Sequence, residues 1–460
     1  MLAGSRGGLK WRVRMYLAYS ALLAMGLLLS LPYWILQALW HGKYRAGLSE
    51  RMGKVPARLL KSAADPVIWL HAVSVGELLA FSALAQQLKS VFPRFRVLIS
   101  TTTDSAQQLA RSRFGRENVF YFPLDFAFAI KPYLRKLRPK LIIVAETEFW
   151  PNFLRLAGKS GARIAIVNGR ISDRSWPGYK RWRLLLARVL EPVDLFLAQT
   201  EEDARRLLDI GACADRVQVA GNLKFDVTPP AVLPIVSGLR AALREGGAGP
   251  VLVCGSTVEG EEELLLAAFE KVQSRFPQAV MILAPRHPER FDHVAAIIVD
   301  RGIPFCRRSE WKAGPLARGI LLLDSIGELA AIYALADLAF VGGSLVPRGG
   351  HNIVEPALHG KAIVVGAHTE NFRDVVNLFA HNQALRIAQT AELSGVFMEL
   401  LSDENQRGLL GSRAAQVVRT YSGAIPRTIA ALEALLESSK AGQPLQSSKS
   451  AREDSRAAPR

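Results

Sequence analysis

The segment Val67–Leu78 reads VIWLHAVSVGEL and joins an apolar strand to a helix in one short step. Ser74 and Glu77 have the Ser-x-x-Glu spacing of a capping box, in which two side chains bond free N–H groups at a helix start. Glu77 is therefore either a helix cap or a carboxylate held at the mouth of a site to accept a proton. Strand followed directly by helix is the unit from which parallel α/β sheets are built.

An apolar strand followed by a helix recurs along the chain, which predicts parallel sheets with helices on both faces. Residues 227–250 are rich in proline and glycine and are predicted to be a linker. The alternation of strands and helices then restarts, and Ser256–Glu259 is a second Ser-x-x-Glu before a helix. The strands predicted for the first half are Val67–Leu70, Arg96–Ser100, Val119–Phe122, Leu141–Ala145, Ile164–Asn168, Leu195–Gln199 and Val217–Ala220, and those for the second are Val251–Cys254, Ala279–Ala284, Ile320–Leu323, Leu338–Val341 and Ala362–Val365.

This pattern predicts two similar doubly wound α/β domains that face each other across a cleft. The first domain is expected over 46–226 and the second over 251–438. The last residues, 439–460, are rich in Ser, Lys and Arg and are expected to be disordered.

The 460-residue chain carries a formal charge of +17, which indicates an acidic partner such as nucleic acid, an anionic membrane or a phosphorylated substrate. Its three cysteines have neither metal-ligand nor disulfide-framework spacing, as is typical of a reducing compartment.

The N-terminal segment narrows this choice. Residues 15–40 contain no charged side chain, and basic residues flank both ends. About 20 apolar residues span a bilayer, so residues 1–45 are predicted to be an uncleaved membrane anchor. A cleaved signal peptide is the alternative, but no clear Ala-x-Ala site follows. The excess of positive charge after the segment places the globular part in the cytoplasm, at the inner membrane.

Ligands of such sheets bind at the carboxyl ends of strands, so the loops that follow strands are the places to seek chemistry. Gly342–Pro356 reads GGSLVPRGGHNIVEP after a predicted strand. Its glycines allow close backbone approach to a ligand, and a helix expected near Asn352 favours phosphate. Glu355 is placed to accept hydrogen bonds from ribose hydroxyls. The alternative is a glycine-rich turn with a capping acid.

Other loops offer weaker signals. Arg286 follows a strand and can bind a phosphate, or it is a surface arginine. Ser325–Glu328 is a third Ser-x-x-Glu, for which capping is the simpler interpretation. Glu146 and Glu148 end a strand in the first half, and a metal site there lacks supporting ligands. Lys224 lies near the end of the first domain and faces the cleft or solvent.

Residues 170–188 combine basic and aromatic side chains, which fits anionic headgroups, nucleic acid or a solvated helix.

Taken together, these loops resemble the bacterial 3-deoxy-D-manno-octulosonic acid (Kdo) transferase family. The resemblance runs from the N-terminal segment to about residue 435. It implies the GT-B fold and transfer of Kdo from CMP-Kdo to a lipid A precursor, without a metal ion or cofactor. The matching motifs, in chain order, are HAVSVGE, ETEFWPN, NGRIS, GNLKFD, GSTVEGEE, PRHPERF, DSIGEL and FVGGSLVPRGGHNIVEP.

The resemblance also implies roles for individual residues. Glu77 is expected to be the general base, and Glu146 and Lys224 match positions that stabilise the transition state. The residues expected to contact CMP are Pro285, Arg286, Ile326, Gly327, Glu328, Asn352, Ile353, Val354 and Glu355, with Glu355 on the ribose. The expected partners are CMP-Kdo, a lipid A precursor and the anionic inner membrane rather than nucleic acid.

Two other functions fit the same residues. A GT-B transferase that uses a UDP-sugar on another membrane lipid would share the architecture. A non-catalytic, membrane-anchored scaffold that binds acidic lipid or RNA would share the charge.

Overall fold

The computed structural model describes residues 14–30, 47–60, 65–226 and 233–441. The chain divides into two compact units. The first unit combines the chain up to Asp226 with the segment from Gly423 onward, and the second unit is Val227–Ser422. Each unit is built on a seven-stranded sheet.

The first sheet has the strand order β3-β2-β1-β4-β5-β6-β7, and its strands pair in parallel. All seven strands predicted for the first half are confirmed. The central strands are buried on both faces because helices cover the sheet from each side. The strands are β1 (Val67–His71), β2 (Arg96–Thr101), β3 (Val119–Tyr121), β4 (Pro139–Ala145), β5 (Arg163–Gly169), β6 (Leu195–Ala198) and β7 (Val217–Val219).

Helices of the first unit alternate with these strands. The predicted alternation of strands and helices is confirmed. The helices are α1 (residues 14–30), α2 (Leu48–Arg51), α3 (Val75–Val91), α4 (Asp104–Phe114), α5 (Ala127–Leu137), α6 (Pro151–Lys159), α7 (Trp176–Arg181), α8 (Arg183–Leu190) and α9 (Glu201–Asp209).

The second sheet has the order β10-β11-β9-β8-β12-β13-β14 and is also parallel. Five of its strands were predicted, whereas the short edge strands β10 and β14 were not. The strands are β8 (Val251–Thr257), β9 (Val280–Pro285), β10 (Phe305–Arg307), β11 (Gly319–Leu322), β12 (Leu338–Val341), β13 (Ala362–Val365) and β14 (Arg386–Ile387).

The helices of the second unit cover its sheet in the same manner. The first of them lies inside the segment predicted to be a linker, because residues 234–245 form an amphipathic helix whose leucines are buried. The helices are α10 (Pro234–Glu245), α11 (Glu262–Arg275), α12 (Phe291–Asp300), α13 (Leu329–Ile332), α14 (Val354–Leu358), α15 (Arg373–His381), α16 (Leu393–Ser402) and α17 (Glu404–Tyr421).

The structure differs from the predicted domain bounds at the C-terminal end. The last helix, α18 (Ala424–Ala441), belongs to the first unit rather than to a second domain that ends at 438. Its buried residues Ile425, Ile429 and Leu432 pack in the core beside Leu70 of β1. From residue 442, the predicted disordered tail lies outside the described residues.

Helix α1 packs on the first unit through polar side chains. The Tyr16 hydroxyl donates to the carbonyl of Arg188 at 3.4 Å, and the Asn152 amide donates to Ser20 Oγ at 3.0 Å. Over the described ranges 14–30, 47–60, 65–226 and 233–441, no helix combines the length and apolarity that a membrane crossing requires. The predicted membrane-anchor helix is therefore not supported, and its parts 1–13 and 31–45 lie outside the described residues.

Candidate active site

The loop after β1 places Glu77 at the carboxyl edge of the first sheet. Ser74 is the N-cap of α3, and its Oγ accepts the N–H of Glu77 at 3.3 Å. In return, the Glu77 carboxylate accepts the Ser74 hydroxyl at 2.8 Å and the backbone N–H of Val73 at 2.8 Å. The predicted capping box is confirmed, with Val73 as the backbone donor that Glu77 binds. The cap also fixes the carboxylate at the edge where ligands of parallel sheets bind.

The environment of Glu77 is that of a half-buried acid near a cation. Burial raises the pKa of Glu77, while the Val73 and Ser74 hydrogen bonds and the charge of Lys224 oppose this rise. The 3-10 turn Leu223–Phe225, which carries Lys224, packs against α3. Glu77 and Lys224 therefore lie close together although they are far apart in the sequence.

Glu146 and Glu148 follow β4, the strand next to β1. Glu146 has a left-handed backbone conformation with φ of 51°, and its N–H donates to the carbonyl of Val167 at 2.9 Å. Burial and the charge of Glu77 raise the pKa of Glu148 to about 7. Glu77, Glu146, Glu148 and Lys224 therefore form one electrostatically coupled cluster. The sequence singled out Glu148 only as half of an acid pair.

Three buried amide side chains hold the turn that carries Lys224. Asn168 Oδ1 accepts the N–H of Leu223 at 3.0 Å, and Asn222 Oδ1 accepts the N–H of Lys224 at 3.0 Å. Gln199 joins the two, since it donates to the Asn168 carbonyl at 3.1 Å and accepts the Asn222 amide at 3.0 Å. The motifs NGRIS and GNLKFD contain two of these residues, but nothing in either motif indicated that they meet.

The basic and aromatic segment 170–188 contains α7 and most of α8 and lies beside Glu148 of the acid cluster. Tyr179 packs against Phe149 with ring centroids 6.3 Å apart. Burial raises the pKa of Tyr179, and the charge of Glu148 raises it further. Trp182 and Leu184 are largely exposed, at 61% and 77%. The segment thus combines exposed apolar side chains with the exposed cations Lys180, Arg181 and Arg183.

In the second unit, the residues expected to bind CMP lie on three loops at the carboxyl edge of its sheet. Pro285 ends β9, and the following Arg286 side chain is exposed. Glu355 lies in the first turn of α14, and Asn352 donates to its carboxylate at 3.3 Å. The charge of Arg286 acts on both Glu355 and His351, so these three side chains lie near one another.

The helix that the sequence predicts near Asn352 is present and short. Helix α14 begins at Val354, and the Asn352 side chain accepts the Val354 N–H at 3.1 Å. The helix has only 5 residues, so its N-terminus is a weak anion site. Burial raises the pKa of Glu355, and the Asn352 hydrogen bond and the charge of Arg286 oppose this rise.

The third loop of the second unit contains Ile326, Gly327 and Glu328. Ile326 is 68% exposed, and Gly327 has φ of 93°, a conformation that favours glycine. The Glu328 carboxylate accepts the Ser325 hydroxyl and pairs with Arg308 at 2.8 Å. Glu328 is the N-cap of α13, so Ser325 does not cap this helix. The exposed Ile326 and Gly327 are available to a ligand.

The predicted capping box at Ser256–Glu259 is wrong. Strand β8 continues to Thr257, Ser256 lies inside it with φ of 58°, and Glu259 is exposed. The buried acids here are Glu261 and Glu262, which follow Ser256–Glu259 and which no sequence pattern singled out. Across the part of the chain that the structure describes, no group of three or more His, Cys, Asp or Glu side chains is arranged to hold a metal ion.

Comparisons with known proteins agree with the resemblance. Residues 46–227 match the family model of the 3-deoxy-D-manno-octulosonic-acid transferases. The chain is 32% identical over 403 residues to the 3-deoxy-D-manno-octulosonic acid transferase of Haemophilus influenzae, covering 86% of this chain and 92% of that protein. It is 34% identical over 423 residues to the enzyme of the same name from Bordetella pertussis, covering 86% and 94%.

Among solved structures, the C-terminal CMP-Kdo binding domain of WaaA from Acinetobacter baumannii is 31% identical, with a TM-score of 0.37. The match covers 40% of this chain and 97% of that domain. Because both transferases are matched over most of their length, the chain belongs to the 3-deoxy-D-manno-octulosonic acid transferase family of glycosyltransferases.

Proposed function

We propose that this protein transfers Kdo from CMP-Kdo to a lipid A precursor (lipid IVA) in the biosynthesis of the lipopolysaccharide core, with inversion at the anomeric carbon. The observation that carries the proposal is the Glu77 carboxylate, which Ser74 and Val73 hold at the carboxyl edge of β1 beside Lys224. Membership of the transferase family supplies the reaction type.

The first-unit cluster acts on the attacking hydroxyl. An acceptor oxygen forms a bond to the anomeric carbon while its proton passes to the Glu77 carboxylate. Because burial raises the pKa of Glu77, this carboxylate holds a proton more readily than a solvated one does. Lys224 and Glu146 are proposed to stabilise the charge that develops in the transition state.

The second-unit cluster binds the part of the donor that leaves. The bond from the anomeric carbon to the phosphate oxygen breaks, and CMP departs with the electron pair. Arg286 is proposed to bind this phosphate through charge-assisted hydrogen bonds. Glu355, which Asn352 holds in place, is proposed to accept hydrogen bonds from the ribose hydroxyls. Because the leaving group is a stable anion, the proposed reaction needs no metal ion.

The proposed acceptor is an acidic lipid, in keeping with the charge of +17. Location at the inner membrane remains a prediction, as does cytoplasmic exposure of both units. The exposed cations and apolar side chains of segment 170–188 are proposed to contact the acceptor or anionic lipid.

The direct test is transfer by purified protein with CMP-Kdo and a tetraacylated, bisphosphorylated acceptor, followed by mass spectrometry of the product. We expect a mass increase of one or more Kdo units and none with a UDP-sugar. Transfer only from the UDP-sugar would establish the alternative donor, and no transfer from either would favour a binding protein. EDTA should leave the rate unchanged, whereas a loss that Mg²⁺ restores would contradict the metal-free reaction.

A further inference from the structure

The motif GSTVEGEE and the residue after it contain four acids, of which two are buried and two are exposed. Glu261 and Glu262 are 0% and 1% exposed, whereas Glu259 and Glu263 face solvent. A buried carboxylate is costly unless hydrogen bonds or a cation compensate its charge. The partners of Glu261 and Glu262 therefore show what this buried charge holds in place.

Glu261 binds the glycine-rich loop that follows β12. Its carboxylate accepts the N–H groups of three consecutive residues, Gly343 at 2.7 Å, Ser344 at 2.8 Å and Leu345 at 2.8 Å. A fourth N–H, from Val258, donates to it at 3.1 Å. Since these three amides donate to Glu261, they are not available to hydrogen-bond a ligand.

The fixed loop continues into the segment proposed to bind the ribose. The carbonyl of Gly343 accepts the N–H of Gly350 at 2.7 Å, just before His351 and Asn352. A β-carbon on Gly343 would lie 2.8 Å from the His351 ring, so the two segments are in close contact. Glu261 thereby supports the segment that carries Glu355.

Glu262 binds the other donor loop. Its carboxylate accepts the Thr257 hydroxyl at 3.2 Å and pairs with Arg290 at 3.1 Å. The Thr257 carbonyl accepts the N–H of Arg286 at 2.8 Å, and the Arg290 N–H donates to the carbonyl of His287 at 3.0 Å. Both ends of the turn that presents Arg286 are thus tied to residues that Glu262 holds.

We propose that Glu261 and Glu262 are positioning residues for donor binding, with Glu261 fixing the loop next to Asn352–Glu355 and Glu262 fixing the turn that carries Arg286. This inference rests on the proposed function, because the ligand is the CMP part of the donor. Each acid acts through other residues.

The test compares four matched variants, Glu261→Gln, Glu262→Gln, Glu259→Gln and Glu263→Gln, by calorimetric titration with CMP and by steady-state kinetics. Glutamine presents an NH2 group where a carboxylate accepts N–H groups, so the buried positions lose part of their network. For the two buried positions, we expect the Kd for CMP and the KM for CMP-Kdo to rise about tenfold or more. The KM for the lipid acceptor should stay unchanged. The two exposed positions should behave as wild type.

A purely structural role would lower the melting temperature and leave the Kd and the donor KM unchanged in the folded variants. That result, with normal CMP binding by wild type, would overturn the positioning role alone. Failure of the wild-type protein itself to bind CMP would overturn the proposed function and this inference with it.

A second measurement needs no substitution and serves if Glu261→Gln fails to fold. In wild type without CMP, the amides of Gly343, Ser344 and Leu345 should exchange hydrogen slowly, since each donates to a buried carboxylate. Adding CMP should not change their exchange. Fast exchange that becomes slow only with CMP would show that these amides face the ligand, and would overturn the role of Glu261.

Discussion

Ser74–Glu77 and Ser256–Glu259 have the same spacing after an apolar strand, yet only the first caps a helix. Strand β1 ends at His71, so Ser74 is free to act as N-cap of α3. Strand β8 continues through Ser256 to Thr257 with a bulge between Gly255 and Thr257, and α11 begins at Glu262. A bulge adds a residue to a strand and shifts everything after it. The same four-residue motif therefore has different neighbours in the two units. In the second unit, the acid that accepts backbone N–H groups is Glu261 rather than Glu259.

The largest expected difference between the two motifs is in turnover. Glu77→Gln should lower kcat by about 10²–10⁴-fold, because positioned proton transfer contributes about that much and glutamine cannot accept the proton. Glutamine also fits the last position of a capping box, so folding and CMP affinity should be retained. The matched change Glu259→Gln should leave kcat near wild type in the same transfer assay. Near-normal transfer by folded Glu77→Gln would leave Glu77 as a cap and move the search for the base to Glu146 and Glu148.

The contrast extends to nucleotide binding, which we assign to the second unit. Glu355→Ala should weaken CMP binding by about 1.5–3 kcal/mol, the typical contribution of hydrogen bonds to a charged group. Arg286→Ala should have a similar effect through the phosphate. Glu289→Ala, an exposed acid in the turn after Arg286, is the control and should not change the calorimetric affinity. If both site variants bind CMP as tightly as wild type, the nucleotide assignment is wrong.

The capping difference itself predicts a stability effect. Ser74→Ala removes an N-cap acceptor and should lower the free energy of unfolding by about 0.5–2 kcal/mol. Ser256→Ala should cost much less, because Ser256 lies inside a strand rather than at a helix start. Denaturant unfolding, followed by a probe in each unit, measures both changes. Equal losses at the two positions would contradict the structural contrast.

The smallest expected effect is on pH dependence. Burial and the Glu77 charge raise the pKa of Glu148 to about 7, so folding favours its protonated form. This contribution to stability is fully present below the ordinary pKa of the acid and is lost as the pH rises through about 7. Glu148→Gln should therefore flatten the fall in melting temperature between pH 5 and pH 8. A variant with the full wild-type pH dependence would show that Glu148 does not hold this proton.

The sequence predicted the strands well because buried parallel strands are continuous apolar runs. It missed β10 and β14, which are too short to give such a run. Glu77, Arg286 and Glu355 could be singled out as candidates from the sequence because loops at strand carboxyl ends are a small part of the chain. Glu261 was missed because three of its four partners lie more than eighty residues away, and only the fold brings Gly343, Ser344 and Leu345 to it. The Asn168–Gln199–Asn222 network escaped for the same reason.

The return of α18 to the first unit has a consequence for the order of folding. The Asp226 carboxylate accepts the N–H groups of Gly423 and Ile425, so the chain leaves and re-enters the first unit at the same point. The whole second unit is thus an insertion within the first. Domains generally fold in the order in which the ribosome delivers them. Here the first sheet is synthesised early, but one face lacks Ile425, Ile429 and Leu432 until the last helix emerges, so the unit that begins first is completed last.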